Sequence, residues 1–298
     1  RRCQTAAASR PVVPPSRPVV PASRPIVGPA LSRRTALLAA LGLTACAQPT
    51  PRPPVSEPAP GITIDRSDFR SQARGGVRTG WALAFPGDSP TGLPVWVLLH
   101  GLHNDHRTAF GRSGLDLDGA LADLAHRSGR RIAVAAVDGG TTYWHRRPNG
   151  EDAGAMVVEE FLPILRKRGL TRVALGGWSM GGYGALRLAG ILGPQRIEAV
   201  TAMSPALWLP GSEASTSGFD DAAEYAEFSI MAEQAALNRI PVRVDCGRSD
   251  PFYAATKAYV SGFAEPISAS FGAGGHDRDY WRRTAPKQLR FVVDHLVG

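Results

Sequence analysis

The chain has 298 residues, of which 43% are hydrophobic and 20% charged, a balance typical of a globular protein with room for one large α/β domain. Its net charge of +8 comes almost entirely from the N-terminal residues 1–46, which hold seven arginines and no acidic residue. The remaining residues are nearly neutral, with 27 basic and 26 acidic side chains. The excess forms no basic face on the fold, so the composition gives no support for a nucleic-acid partner.

Residues 1–31 contain a seven-residue repeat, which begins Ser9-Arg10-Pro11 and returns as Ser16-Arg17-Pro18 and Ser23-Arg24-Pro25. Proline at this frequency, combined with few large side chains, cannot build a hydrophobic core. We therefore expect this segment to be disordered, and we interpret it as a start-site artefact or a cleaved extension without a function of its own.

Residues 32–46 have the pattern of an export signal. Arg33 and Arg34 precede an apolar stretch that ends at Ala45 and is too short to span a bilayer. The paired arginines resemble a twin-arginine signal, and residues 43–46 resemble a bacterial lipobox in which Cys46 is lipidated. The alternative is an ordinary signal peptide with a coincidental cysteine. Proline-rich residues 47–61 follow as a semi-rigid tether, so we expect an exported protein, either anchored at the outer face of the cytoplasmic membrane or secreted.

The rest of the chain offers neither a disulfide nor a metal site. Cys3 and Cys46 lie in the leader region, which leaves Cys246 alone in the folded part. His103 and His106 have no third ligand at a recognisable spacing, so we expect them to line or cap a loop. The sequence therefore predicts no metal and no cofactor.

Residues 62–298 are predicted to form one α/β domain. Strands are expected at residues 62–64, 80–85, 94–100, 131–138, 172–175, 197–203, 241–246 and 267–271, and helices at 115–126 and 153–168, after residue 179 and at the end of the chain. This alternation predicts a mainly parallel, doubly wound sheet with helices on both faces, and ligands then bind at the carboxyl ends of the strands. Aromatic-rich residues 208–240 are either a small cap over a pocket or a surface insertion.

One pentapeptide indicates a catalytic serine. Gly177-Trp178-Ser179-Met180-Gly181 follows an apolar run, precedes a helical pattern and matches G-x-S-x-G, the nucleophile elbow of α/β-hydrolases. A serine hydroxyl is a weak nucleophile unless it stands on a tight turn beside a base and beside amides that can hold an oxyanion. The alternative is a glycine-rich loop that packs a strand on a helix.

The base and the acid should follow the serine in the chain order Ser, Asp, His. His276 lies in a glycine-rich loop after the last strand and is the predicted base, while His295 lies in the final helix and is interpreted as structural. Asp250 follows the preceding strand and is the predicted acid. Asp245 is its competitor, and Asp250 could also begin a helix, since it precedes a proline.

The remaining predicted site residues bind the oxyanion and the substrate. The oxyanion hole should use the backbone N–H of Met180 and that of Leu102, in the loop after the 94–100 strand. Trp144, His145 and Trp178 are the candidate substrate-binding side chains, with Trp144 and His145 expected to line the pocket.

Four motifs in order resemble the Putative esterase family of α/β-hydrolases, which includes S-formylglutathione hydrolase (esterase D) and the secreted mycolyltransferases of actinobacteria. They are His100-Gly101-Leu102, the segment 177–186, Cys246-Gly247-x-x-Asp250-Pro251-Phe252 and Gly274-Gly275-His276-x-x-x-Tyr280-Trp281. Tyr143-Trp144-His145 is also similar to the exported actinobacterial branch, and the resemblance covers about residues 95–296.

The resemblance implies the α/β-hydrolase fold and a serine esterase that forms an acyl-enzyme on Ser179 and acts on a small-molecule or lipid ester. The expectation that the enzyme is exported and held at a membrane surface by an N-terminal anchor comes from residues 32–46. Two alternatives stay open: an acyltransferase of the mycolyltransferase or diacylglycerol acyltransferase kind that uses the same residues, and a catalytically silent binding protein with the same fold.

Overall fold

The computed structural model describes residues 57–297. The predictions for the repeat in residues 1–31, for the export signal in residues 32–46 with Cys46, and for most of the tether in residues 47–61 therefore lie outside the described residues. Within the described part, no helix combines the length and the apolar character that a membrane span needs.

Eight strands form one sheet in the order β1-β2-β4-β3-β5-β6-β7-β8. The strands are β1 (Ile62–Ser71), β2 (Val77–Pro86), β3 (Val95–Leu99), β4 (Ala133–Val137), β5 (Val173–Trp178), β6 (Ala199–Met203), β7 (Val242–Asp245) and β8 (Ser268–Ser270). β1 pairs antiparallel with β2, and β2 with β4, while every other pairing is parallel. The predicted mainly parallel α/β sheet is confirmed.

Seven α-helices accompany the sheet in the part of the chain that the structure describes. They are α1 (Leu117–Ser128), α2 (Ala153–Ala155), α3 (Leu162–Lys167), α4 (Met180–Leu192), α5 (Ala222–Phe228), α6 (Tyr253–Ser261) and α7 (Arg278–Leu296). The single helix predicted at residues 153–168 is instead α2 and α3 joined by a π-helical segment, Met156–Phe161, with Pro163 at the start of α3. A proline there removes one backbone donor and disturbs the regular hydrogen-bond ladder.

The central strands are apolar along their whole length because helices cover both of their faces. All residues of β3, β4, β5 and β6 are buried. Val97 and Leu99 of β3 belong to the core cluster that includes α3 and α4, whereas Trp96 and Leu98 belong to the cluster that includes α1 and α7. Successive side chains of a strand point to opposite faces, so this division shows that the sheet is doubly wound.

The β1–β2 hairpin is longer than predicted. Its strands have ten residues each and pair from Ile62 opposite Pro86 to Ser71 opposite Val77. The missed parts are polar and partly exposed in β1, so they give no apolar signal in the sequence. The hairpin contains the outermost strand on one side of the sheet. The strands β3 to β8 run parallel, so their carboxyl ends and the loops that follow them all lie along the same end of the strands.

Candidate active site

Ser179 occupies the sharp turn between β5 and α4, with φ of 55° and ψ of −122°. Non-glycine residues rarely adopt such a backbone conformation, and it persists only where the surroundings enforce it. Two backbone hydrogen bonds do so: the Ser179 N–H donates to Met203 O at 2.9 Å, and the Ala206 N–H donates to Ser179 O at 3.0 Å. The side chain is consequently held at the rim in a fixed position.

The glycines around Ser179 are required by close backbone contacts. A Cβ on Gly181 would lie 1.9 Å from the Leu99 carbonyl oxygen, and a Cβ on Gly177 would lie 2.3 Å from the carbonyl carbon of Gly181. Both contacts are to backbone, which cannot turn aside as a flexible side chain can. The turn therefore needs the two glycines that the motif contains.

The three residues predicted to act together do meet in the structure. His276 Nε2 lies 2.9 Å from Ser179 Oγ, and His276 Nδ1 lies 3.0 Å from Asp250 Oδ2. Ser179 follows β5, Asp250 follows β7 and His276 follows β8, so three parallel strands deliver them to one edge of the sheet. An ionised carboxylate can only accept, so Nδ1 carries the proton and Nε2 is free to accept from the serine hydroxyl.

Asp250 keeps its negative charge although it is buried. Burial by itself raises the pKa of this carboxyl, but the hydrogen bond and charge of His276, together with the N–H of Phe252 at 2.9 Å, outweigh burial and hold the pKa below its ordinary value. Oδ1 thus organises the turn that leads into α6, while Oδ2 faces the imidazole. The alternative role of Asp250 as a helix N-cap is wrong, because the N-cap of α6 is Phe252 and no side chain caps that helix.

Asp245, the competing acid, faces a different set of partners. It is 2% exposed and accepts two hydrogen bonds of 2.8 Å from the guanidinium of Arg243. Gln288 Nε2 of α7 adds a third at 3.0 Å. Asp245 therefore belongs to a structural network between β7 and α7, away from the imidazole.

The two predicted oxyanion donors belong to the residue after Ser179 and to the loop after β3, which passes close to Ser179. Met180 is the first residue of α4, where the N–H has no intrahelical acceptor. Leu102 follows Gly101, whose added Cβ would lie 3.3 Å from Ser179 Cβ, so the loop after β3 passes directly against the serine. Within residues 57–297 the Leu102 N–H donates to no protein acceptor. Both amides are thus available to a ligand oxygen.

Hydrogen bonds attach both ends of the loop after β3 to the loop after β4. The sequence analysis did not predict these contacts. His100 is buried, its Nδ1 donates to Gly101 O at 2.8 Å, and its Nε2 accepts from the Gly139 N–H at 2.9 Å. At the far end, Asp138 Oδ1 lies 2.7 Å from both the backbone N and the Nδ1 of His106. This pair of attachments, here called the loop clamp, fixes the segment that contains Leu102.

Burial sets the direction of the pKa shift of His100, and hydrogen bonds set that of Asp138. Burial lowers the pKa of His100, which keeps the ring neutral and leaves Nε2 able to accept. Burial alone would raise the pKa of Asp138, but its hydrogen bonds to the His106 ring and backbone N–H hold the pKa below the ordinary value. The expectation that His106 caps a loop fits this geometry. No group of three metal-ligating side chains occurs in residues 57–297.

The three predicted substrate-binding side chains are packed inside the fold, which corrects their expected role. Trp144, His145 and Trp178 are each 0% exposed. Trp178 Nε1 donates to Asn104 Oδ1 at 2.9 Å beneath the loop after β3, and Trp144 packs its ring edge-on against His100 with centroids 5.1 Å apart. An aromatic residue near a site either lines it or supports it from within the fold, and only its burial, which the sequence does not give, separates the two roles.

The insertion between β6 and β7 consists of short helices rather than one folded cap. It contains two 3₁₀ turns, Gly211–Glu213 and Gln234–Leu237, on either side of α5. His145 lies between two of its phenylalanines, stacking on Phe219 at 5.0 Å and on Phe228 at 4.2 Å. Most of its aromatic side chains thus pack the insertion onto the domain.

Part of this aromatic layer reaches the reacting groups. Half-buried Trp208 packs edge-on against Phe252 with centroids 5.2 Å apart, and Phe252 packs edge-on against His276 at 5.0 Å. Trp281 of α7 contacts the same imidazole at 4.9 Å. His276 is therefore held between two aromatic rings, and an apolar wall made of Trp208 and Phe252 borders one side of the site.

Comparison with known proteins agrees with this geometry. A profile of the family described as Putative esterase matches residues 81–292. No curated protein sequence matches the chain. Among solved structures, a ferulic acid esterase superposes with a TM-score of 0.68 at 20% identity, over 78% of this chain and 98% of that protein.

Two further structures share the fold. S-formylglutathione hydrolase from Agrobacterium tumefaciens has a TM-score of 0.61 at 18% identity, over 80% of this chain and 98% of its own. MPT51 (FbpC1) of Mycobacterium tuberculosis has a TM-score of 0.58 at 16% identity, over 78% and 99% respectively. Identities this low establish the fold alone, whereas the family profile covers most of the chain and confirms the family predicted from the motifs. The chain belongs to the Putative esterase family of α/β-hydrolases and is a serine hydrolase.

Proposed function

We propose that this protein is a carboxylic-ester hydrolase that works through an acyl-enzyme on Ser179, with His276 as the base and Asp250 as the acid that orients it. The observation that carries the proposal is the continuous hydrogen-bonded series from Ser179 Oγ through His276 to Asp250, with lengths of 2.9 Å and 3.0 Å. The family assignment supports the reaction class.

The acylation step follows from this geometry. His276 Nε2 takes the proton of Ser179 Oγ while Oγ forms a bond to the ester carbonyl carbon. The carbonyl oxygen becomes an oxyanion, which the N–H groups of Met180 and Leu102 stabilise by about 3 kcal/mol each. The carbon–oxygen bond to the alcohol then breaks, and the imidazolium returns its proton to the leaving alcohol. A water molecule repeats the sequence on the acyl-enzyme and releases the acid.

An acyltransferase is the second candidate, because an alcohol can replace water in the last step with no change in the catalytic groups. The resemblance to secreted mycolyltransferases motivates it. A catalytically silent binding protein is the third, and the complete set of Ser179, Asp250 and His276 argues against it.

The substrate class follows from the walls of the site. Trp208 and Phe252 form an apolar wall beside His276, which suits an apolar or aromatic acyl group. A ferulic acid esterase and an S-formylglutathione hydrolase share the fold, and both names denote enzymes that cleave acyl derivatives. We therefore propose a small-molecule or lipid ester as the substrate.

We also propose that the protein is exported and attached to the outer face of the cytoplasmic membrane through lipidated Cys46. The paired arginines, the short apolar stretch and the lipobox-like residues 43–46 support the proposal. Mass spectrometry of the membrane fraction should find acyl chains on Cys46. A soluble mature chain with an unmodified cysteine would contradict the anchor and leave the esterase proposal intact.

A panel of p-nitrophenyl esters of increasing acyl length, assayed with and without a sugar or glycolipid acceptor, tests the function. We expect release of p-nitrophenol by the wild type and none above background by Ser179→Ala. Release of free acid in the presence of the acceptor supports the hydrolase, whereas formation of acylated acceptor in preference to free acid would move the function to acyltransferase. Equal rates for the wild type and Ser179→Ala would contradict both.

A further inference from the structure

A groove of about 430 Å³ borders the candidate active site, and Phe252 is not among its lining residues. Two of its lining residues connect it to the reacting groups. Trp281 packs against the His276 ring with centroids 4.9 Å apart, and Asn104 lies two residues after Leu102 and accepts a hydrogen bond from Trp178 Nε1 at 2.9 Å. A group bound in this groove would therefore lie next to an ester held at His276.

The groove is positively charged. Arg107 and Arg278 line it, and none of its lining residues is acidic. Arg107 lies 3.5 Å from Asp105, but both side chains are more than 40% exposed, and an exposed pair of this kind neutralises little charge. The charge of Arg107 is thus available to a ligand that enters the groove.

Arg278 is held in place without being neutralised. Its Nη1 donates to the carbonyl oxygen of Ser113 at 2.8 Å, and no carboxylate of residues 57–297 lies within 4 Å of its guanidinium. Other arginines on the same part of the surface pair with acids, as Arg282 does with Asp116 at 3.2 Å. A neutral acceptor fixes the direction of the Arg278 side chain and leaves its positive charge free.

The place of Arg278 in the fold strengthens this point. It is the first residue of α7, a helix of 19 residues, and the start of a helix favours negative rather than positive side chains. The neighbouring Asp277 is the N-cap and accepts the Tyr280 N–H at 2.8 Å, and Asp279 does not line the groove. Asp277 thus satisfies the helix start, and the two guanidinium groups that line the groove carry the attraction for an anion.

We propose that this groove binds an anionic group of the ester substrate, a carboxylate or a phosphate, through Arg107 and Arg278. The inference rests on the proposed esterase function and specifies its substrate. The planar guanidinium group presents paired donors that match the two oxygens of such a group. The ester thus lies across His276, with its anionic end in the groove and its apolar end against Phe252 and Trp208.

Two matched pairs of esters test the proposal and show which end of the substrate carries the charge. For the alcohol end, 4-acetoxybenzoate is compared with its methyl ester. For the acyl end, mono-4-nitrophenyl adipate is compared with methyl 4-nitrophenyl adipate, whose chain is too long for rapid attack of the carboxylate on its own ester. The wild type should prefer the anionic member of at least one pair in kcat/KM, and 0.5 M NaCl should reduce that preference because salt screens exposed charges.

The variants Arg107→Gln and Arg278→Gln should each lower kcat/KM for the preferred anionic ester about three- to tenfold, mainly through KM. Their kcat/KM for the neutral partner should stay within twofold, which shows that the fold is intact. Arg196→Gln is the matched control, because Arg196 is an exposed arginine between α4 and β6, at the opposite ends of the strands.

Three results would overturn the inference. The first is a wild type that shows no charge preference in either pair, and the second is an equal loss on the neutral and anionic esters in the two arginine variants. Either one refutes the groove and leaves the esterase function standing, since the neutral esters are still hydrolysed. The third is a wild type that hydrolyses none of the four esters, which refutes the proposed function and the groove with it.

Discussion

Replacing Asp250 with asparagine should lower kcat by about 10⁴-fold and leave KM nearly unchanged. The reason lies in the two contacts of the carboxylate. Oδ1 accepts the Phe252 N–H at 2.9 Å, so an asparagine must direct its own oxygen there to preserve the turn before α6. Its NH₂ group then occupies the place of Oδ2, 3.0 Å from His276 Nδ1, where it meets the ring as a donor.

The imidazole can satisfy that donor only by moving its proton from Nδ1 to Nε2. The Nε2–H then points at Ser179 Oγ across 2.9 Å and cannot accept the hydroxyl proton. A factor of 10⁴ corresponds to about 5.5 kcal/mol of lost transition-state stabilisation. Steady-state kinetics with p-nitrophenyl acetate, normalised to the folded fraction by circular dichroism, measures the loss.

Asp245→Asn is the matched control, because Asp245 is also a buried acid near the end of β7. It is bonded to Arg243 and Gln288, so its replacement should lower the free energy of unfolding by about 1–3 kcal/mol while kcat stays within twofold. The reasoning would be refuted by a loss smaller than tenfold in Asp250→Asn, or by a larger loss of kcat in Asp245→Asn.

Three further predictions concern the loop clamp, the elbow and the thiol. Because the pKa of Asp138 is lowered in the fold, its contact with His106 stabilises the protein above the unfolded-state pKa of about 3.9 and is lost as the pH falls through the folded pKa. Asp138→Asn should therefore flatten the acid side of a Tm–pH profile, and an unchanged profile would contradict this. Gly181→Ala should destabilise the fold by about 2–3 kcal/mol in urea titrations, since its Cβ would lie 1.9 Å from Leu99 O, and a loss below about 1 kcal/mol would contradict the contact. Cys246 is buried, with its thiol pKa raised to about 12 by burial, so peptide mapping should find it unalkylated by iodoacetamide at pH 8 in the native protein, and rapid alkylation would show that the site opens.

The fold could be predicted where the sequence carries a strong and local signal. β3 to β6 are buried on both faces, so each is an unbroken apolar run that is easy to recognise. The outer parts of β1 and the π-helical segment Met156–Phe161 gave no such signal, because one is polar and partly exposed and the other depends on how α2 and α3 join.

The candidate site also has residues that the sequence predicts and contacts that it does not. Ser179, Asp250 and His276 could be predicted because a parallel sheet brings the ends of its strands to one edge, whatever the length of the chain between them. The contact between His106 and Asp138 joins residues 32 positions apart through side chains, and no spacing indicates it.

The central claim is that Ser179 is the nucleophile, and labelling with a fluorophosphonate tests it most directly. The probe phosphonylates a serine only where a base takes the hydroxyl proton, so the wild type should gain one probe mass, and peptide mapping should locate it on Ser179. Ser179→Ala should gain none, and His276→Ala should react far more slowly than the wild type. Equal labelling of the wild type and Ser179→Ala, or a label on another residue, would contradict the account.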